Sequence, residues 1–229
     1  MQKKPPCEVV VYCGGKCGST TLYTTFKKNG FPCIHTHGIE EWRITHPKLG
    51  DVIDYLRGLK RVYIIDVYRT PIERKISSFF ENIRHHVPHY ADLSVSELIT
   101  IFNEQFLHVL EEYHPIDEVM TALGIPLFTE FKGQYARRDC GQFVFIKLHF
   151  RDISSWDILL STLFGRSITV YSSNITAKKE IFPLYETFKK EYRVPTAYLN
   201  NIRNDPQFKI YMTPAEQEEY LAKWEECQS

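Results

Sequence analysis

The chain predicts an α/β fold of three layers, with a central, mainly parallel sheet of about five strands flanked by helices, in a single domain over residues 1–229. Three observations carry that expectation. Short apolar or β-branched runs at residues 8–13, 31–35 and 60–67 alternate with helical patterns, which is how βαβ units read in sequence. Helix punctuation falls between the runs. With 229 residues, 43% of them hydrophobic, the chain can bury a full core without disulfide staples.

The first run leads into "GGKCGSTT" (14–21), where glycines, a lysine and three hydroxyl residues open an amphipathic helix. "KKNG" (27–30) ends that helix with cations and a glycine stop. The second run ends in "IHTHG", the third in "DVYRTP". "TPIE" (70–73) supplies an N-cap threonine, a first-turn proline and a capping-box glutamate, so a helix begins at Pro71 with Ile72, Ile76, Phe79, Phe80 and Ile83 on one face. Arg74, Ser77, Glu81 and Arg84 point elsewhere. "SVSE" (94–97) opens a helix to about residue 113, and "TPAE" (213–216) a C-terminal one. A fourth strand is expected at 142–148, a helix at 156–164 and a fifth strand at 167–171, with loops at 86–92 and 129–141.

Lysine plus arginine balance aspartate plus glutamate at 28 each, so no bulk basic field favours nucleic acid or an anionic membrane. An anion must be held by a local site. The six cysteines form no C-x-x-C pair, and four of them crowd the first strand, loop and second strand, as reduced thiols of an intracellular protein do. No apolar leader or spanning run is visible, and a cytoplasmic location is expected.

Ligands of open parallel sheets collect at the carboxyl ends of the strands. Three segments meet there: the glycine loop, the "IHTHG" histidines and Arg69. In the loop, Gly14, Gly15 and Gly18 let backbone amides turn toward an anion, the helix N-terminus adds positive potential, and Ser19, Thr20 and Thr21 add hydroxyls. Nucleotide-triphosphatase loops place the lysine directly before the hydroxyl residue; here Lys16 precedes Gly18. "RVYIID" offers Asp66 as a magnesium ligand of such an enzyme, but the lysine order and the following "VYRTP" favour local pairing of Asp66 instead. "RHHVPH" (84–89) reads as an exposed helix end rather than a metal site, because Pro88 breaks helical geometry and nothing nearby completes a ligand set.

"GGKCGSTT" followed by "RTPIERKISSF" (69–79) resembles the sulfotransferases that use 3′-phosphoadenosine 5′-phosphosulfate. The likeness extends more faintly to "FVFIKLHFRDISSWDILL", "SSNITAKK" and "MTPAEQEEYL"; Asp66 and the short chain depart from it. The resemblance implies a P-loop-like fold and transfer of a sulfonyl group to a hydroxyl acceptor, most closely a glycan. It implies that residues 15–21 (Gly15, Lys16, Cys17, Gly18, Ser19, Thr20, Thr21) grip the 5′-phosphosulfate, that Arg69 and Ser77 grip the 3′-phosphate, and that no metal is used. Adenosine 3′,5′-bisphosphate is the implied product. Lys16 is expected to reach the oxygen from which the sulfonyl group departs. By the same resemblance to glycan 2-O-sulfotransferases, a histidine after the second strand is the base, His35 first and His37 second. Strand alternation sends these two side chains to opposite faces. Lys178 and Lys179 are further candidates for cofactor contact. The alternatives are a kinase or triphosphatase using Mg-ATP through Asp66, and a binding module that transfers nothing.

Overall fold

The computed structural model describes residues 8–108, 114–131, 133–172 and 180–226. In chain order the elements are β1 (Val9–Tyr12), α1 (Ser19–Lys28), β2 (Cys33–Thr36), α2 (Ile39–Thr45), α3 (Val52–Arg57), β3 (Val62–Tyr68), α4 (Pro71–Glu81), α5 (Ile83–His86), α6 (Val95–Ile101), α7 (Pro115–Ala122), β4 (Tyr135–Cys140), β5 (Phe143–His149), α8 (Trp156–Phe164), α9 (Phe182–Glu191), α10 (Thr196–Asn204), α11 (Pro206–Tyr211) and α12 (Pro214–Glu226). Contacts divide them into two compact units, one of Met1–Arg69 with His114–Asn174, the other of Thr70–Tyr113 with Ile175–Ser229.

The first unit holds the five-stranded sheet, in the order β2-β1-β3-β5-β4. All pairs are parallel except β4 with β5. Parallel strands are covered on both faces, so their sequences are nearly continuous apolar runs. On one face Val9 and Val11 of β1, Ile65 and Val67 of β3, and Val144, Ile146 and Leu148 of β5 pack with Leu22 and Phe26 of α1 and with Trp156, Leu160 and Leu163 of α8. On the other face α7 packs on β3, and the Tyr12 hydroxyl donates to the Glu118 carboxylate of α7 at 3.1 Å.

That second face carries a buried ion pair. Asp66 and Lys147 are register partners on β3 and β5, their charged groups lie 3.0 Å apart, and their side chains are 2% and 1% exposed. The Lys147 ammonium also lies 3.5 Å from Nδ1 of His114. Two charges withdrawn from water persist only when each satisfies the other. Asp66 is therefore committed to pairing within the sheet.

Two expectations about strands need correction. The fifth strand is β4, inside the stretch expected to be a loop, whereas no strand forms at 167–171. β4 is an edge strand carrying Arg137, Arg138 and Asp139, and of its residues only Ala136 is buried. Its charges hide the alternation that marks a half-buried strand. The signal that identifies it is the two-residue turn Gly141–Gln142 ahead of β5, with Cys140 paired to Phe143. Residues 168–171 are instead held by helix side chains. Asn29 exchanges two hydrogen bonds with Thr169, Ser161 bonds the amide of Ile168, and Thr25 bonds that of Tyr171.

In the second unit α4 begins at Pro71 as expected, and Ile72, Ile76, Phe79 and Phe80 are buried. The capping box expected at Thr70 does not form, because the Glu73 carboxylate accepts from the Tyr220 hydroxyl at 2.9 Å and the Lys223 ammonium at 3.0 Å. Capping boxes do form at Ser94 with Glu97 and at Thr213 with Glu216. Phe79, Phe102 and Phe188 meet ring to ring beneath them. Among the described residues no helix is long and apolar enough to cross a membrane.

Removing one partner of the buried pair strands the other charge. Asp66→Asn is expected to lower unfolding free energy by about 3–5 kcal/mol in urea titrations, and Asp66→Leu with Lys147→Met to recover most of that loss.

Candidate functional site

The site grows from the loop between β1 and α1. Lys16 adopts φ 67°, the only non-glycine residue at positive φ among those described, and Gly18 follows at φ 84°. Gly18 is a glycine for two reasons. Its left-handed backbone disfavours a side chain, and a Cβ there would stand 3.2 Å from the rings of both Phe150 and Trp156. Gly18 also caps α1 with no side-chain hydrogen bond, and the first turn of that helix has no acidic residue. A helix N-terminus of this kind favours an anion.

Four consecutive loop carbonyls are turned to protein donors. Nδ1 of His37 lies 2.6 Å from the Cys13 oxygen, and the thiols of Cys13 and Cys17 lie 3.5 Å from the oxygens of Gly14 and Gly15. The Arg69 guanidinium donates to the Lys16 oxygen at 2.6 Å. Each of these oxygens has a lone pair engaged by a protein donor, which weakens its repulsion of an anion at the loop. Burial, then the hydrogen bond with Cys17, pushes the Cys13 thiol well above its usual range, so it stays protonated. Cys17 is likewise buried, its side chain spent on the loop's own backbone.

Arg69 is fixed from two directions. Its guanidinium carbon stands 4.4 Å from the centre of the Phe150 ring, while one terminal nitrogen holds the Lys16 carbonyl. Its Nε is buried with no hydrogen-bond partner among the described residues. A buried guanidinium donor left in this state fits an anionic ligand.

The histidines differ from expectation. β2 ends at Thr36, so the alternation that would part them stops before His37, and the two rings meet at 4.6 Å, edge to face. His35 also stacks on Tyr23 at 5.7 Å, and its Nε2 is buried with no partner among the described residues. Burial, then the neighbouring His37, lowers the His35 imidazole from its ordinary 6.5 to about 4; Glu41 pulls the other way, and His46 adds a smaller lowering. His37 is held differently. Its backbone amide donates to the Glu41 carboxylate of α2, and because its Nδ1 faces a carbonyl, which can only accept, the proton resides on Nδ1 and the lone pair on Nε2.

Of the loop hydroxyl residues, Ser19 and Thr21 are buried and Thr20 is exposed. The structure therefore brings the loop, Arg69 and His37 together through direct hydrogen bonds, all within the first unit. Ser77 belongs to the second unit, on α4, and is 8% exposed rather than open on a polar face. Lys178 and Lys179 lie outside the described residues. Phe150, Trp156 and Glu41 escape a reading of the sequence; the aromatic pair bracketing "FRDISSW" after β5 is the one signal for the first two. Among the described residues no group of three or more His, Cys, Asp or Glu side chains is placed to hold a metal ion. A scan of protein-family models, a search of curated proteins and a search of solved structures each find no match to the chain.

The His35 environment has a measurable consequence. Between pH 6.5 and about 4 the unfolded chain binds a proton at His35 that the folded chain does not, so the stability from this residue is full above 6.5 and is lost as pH falls through that window. Urea midpoints measured from pH 7 to 4 should fall less steeply for His35→Gln than for the wild type.

Proposed function

We propose that the protein transfers a sulfonyl group from 3′-phosphoadenosine 5′-phosphosulfate to a hydroxyl of a carbohydrate, by in-line displacement with a histidine base. The observation that carries this reading is the Arg69 guanidinium, tied to the Lys16 carbonyl at 2.6 Å with its Nε left buried and without a partner among the described residues. It supports one ligand with anionic groups at both the loop and Arg69. The loop's engaged carbonyls and the uncapped start of α1 suit a 5′-phosphosulfate, and Arg69 suits the 3′-phosphate.

When bound, the cofactor supplies the sulfonyl group and the phosphate oxygen that leaves. Lys16 and the first-turn amides of α1 stabilise the negative charge that grows on that oxygen in the transition state. His37 is the better base. Its Nε2 lone pair is set by the Cys13 carbonyl, whereas His35 is lowered to about 4 and enclosed by Tyr23 and His37. Burial keeps His35 neutral and weakly basic at physiological pH. The roles of Ser77, Lys178 and Lys179, and the carbohydrate nature of the acceptor, rest on the resemblance of the motifs. A kinase or triphosphatase would need Asp66 for magnesium, and Asp66 is taken by Lys147 at 3.0 Å.

Calorimetry tests the reading. Adenosine 3′,5′-bisphosphate should bind without metal and more tightly than Mg-ATP, and Arg69→Ala should weaken it about ten- to a hundredfold through lost charge-assisted bonds. His37→Ala should abolish sulfonyl transfer and leave nucleotide binding intact. Preference for Mg-ATP would overturn the proposal, and nucleotide binding without transfer to any hydroxyl compound would make the protein a binding module.

A further inference from the structure

A groove of about 690 Å³ runs along α8, between that helix and residues 167–172. It lies wholly in the first unit and is separate from the loop, Arg69 and the histidines. Its size falls within the ~300–1,000 Å³ usual for binding clefts. Ile153 and Ser154 at one end belong to the same short 3-10 segment as Phe150, whose ring backs Gly18 and Arg69.

The chemistry of the lining is selective. Among the described residues that line it, Asp157 is the one charged residue and none is a cation. The nearest arginine in sequence, Arg166, is directed elsewhere: its guanidinium carbon lies 3.5 Å from the centre of the Phe31 ring, and it donates to the Asn29 carbonyl at 2.6 Å. Hydroxyls of Ser154, Thr169 and Ser172 line the groove and make no hydrogen bond among the described residues. The Ser161 hydroxyl, by contrast, is engaged by the backbone of Ile168. Between the polar groups lie aliphatic surfaces, of which Ile158 is 70% exposed. The Asp157 carboxylate, whose Oδ1 accepts from the Ile158 amide at 2.8 Å, can accept from a ligand hydroxyl through Oδ2, serine and threonine hydroxyls both donate and accept, and aliphatic surface covers C–H faces. A ligand rich in hydroxyls, with apolar C–H faces and no negative charge, answers all three.

We propose that this groove is a saccharide-binding subsite for a neutral glycan chain, held by the Asp157 carboxylate and the free hydroxyls with Ile158 against a sugar face. It deepens the proposed function and rests on it in one respect only, that the bound chain is the acceptor for transfer. Saccharide binding itself does not depend on that reading. An anionic chain of uronate or sulfate groups is disfavoured by the Asp157 carboxylate, which no cation among the described lining residues offsets.

The test uses the full chain with maltohexaose, cellohexaose and chitohexaose as neutral probes and a hyaluronan hexasaccharide as the anionic one, read by calorimetry and saturation-transfer NMR. At least one neutral probe should bind, Asp157→Ala should weaken it at least tenfold, Ile158→Asp should abolish it, and hyaluronan should not bind. Both variants alter exposed residues, and an unchanged urea midpoint separates lost binding from misfolding. Failure of every neutral probe to bind, binding indifferent to both variants, or preference for hyaluronan would overturn the subsite. Adenosine 3′,5′-bisphosphate titrated into the same samples separates the two proposals. Nucleotide binding without saccharide binding sinks the groove alone, and saccharide binding sensitive to Asp157 without nucleotide binding sinks the transferase reading alone.

Discussion

The tying back of the loop carbonyls is the interaction on which the site depends. A chain that turns from a strand into a helix through glycines has many conformations available, and an unliganded loop of this kind gains nothing intrinsically from any one of them. Here the oxygens of residues 13–16 are each held by a side chain of the loop or of a neighbouring element, from His37 at one end to Arg69 at the other. Gly18 completes the restraint, since its backbone is left-handed and a Cβ there would press on the Phe150 and Trp156 rings at 3.2 Å. The ordering entropy is thereby met by folding, which is what preorganisation of the anion site proposed for this loop requires.

The same restraints explain how distant segments become one site. His37 and Arg69 follow different strands, yet each reports its position to the loop by a hydrogen bond of 2.6 Å to a backbone oxygen. Phe150 follows a third strand and supports both Arg69 and Gly18. On the face of the sheet opposite α1 and α8, Asp66 and Lys147 satisfy each other's charge at 3.0 Å.

The parts that were legible in the sequence share a cause. β1, β3 and β5 are buried on both faces, so their apolar runs stand out, and α1 and α4 begin where glycine or proline punctuates them. What was not legible depended on contacts between segments. β4 hid behind edge charges, and residues 167–171 look like a strand although helix side chains satisfy their amides. Glu73 left its expected cap because Tyr220 and Lys223 reach it across the fold of the second unit. The separation of His35 from His37 failed on a single residue, the end of β2 at Thr36. The loop residues and Arg69 could be named from their pattern, but Arg69's bond to Lys16 could not be.

The central claim is that the loop and Arg69 hold opposite phosphates of one adenosine bisphosphate, and phosphorus NMR addresses it directly. In a titration of adenosine 3′,5′-bisphosphate to saturation, both phosphate resonances should move in the wild type, with the 5′ shift reduced selectively by Lys16→Ala and the 3′ shift selectively by Arg69→Ala. Resonances that do not move, or two variants that affect both phosphates alike, would contradict the account.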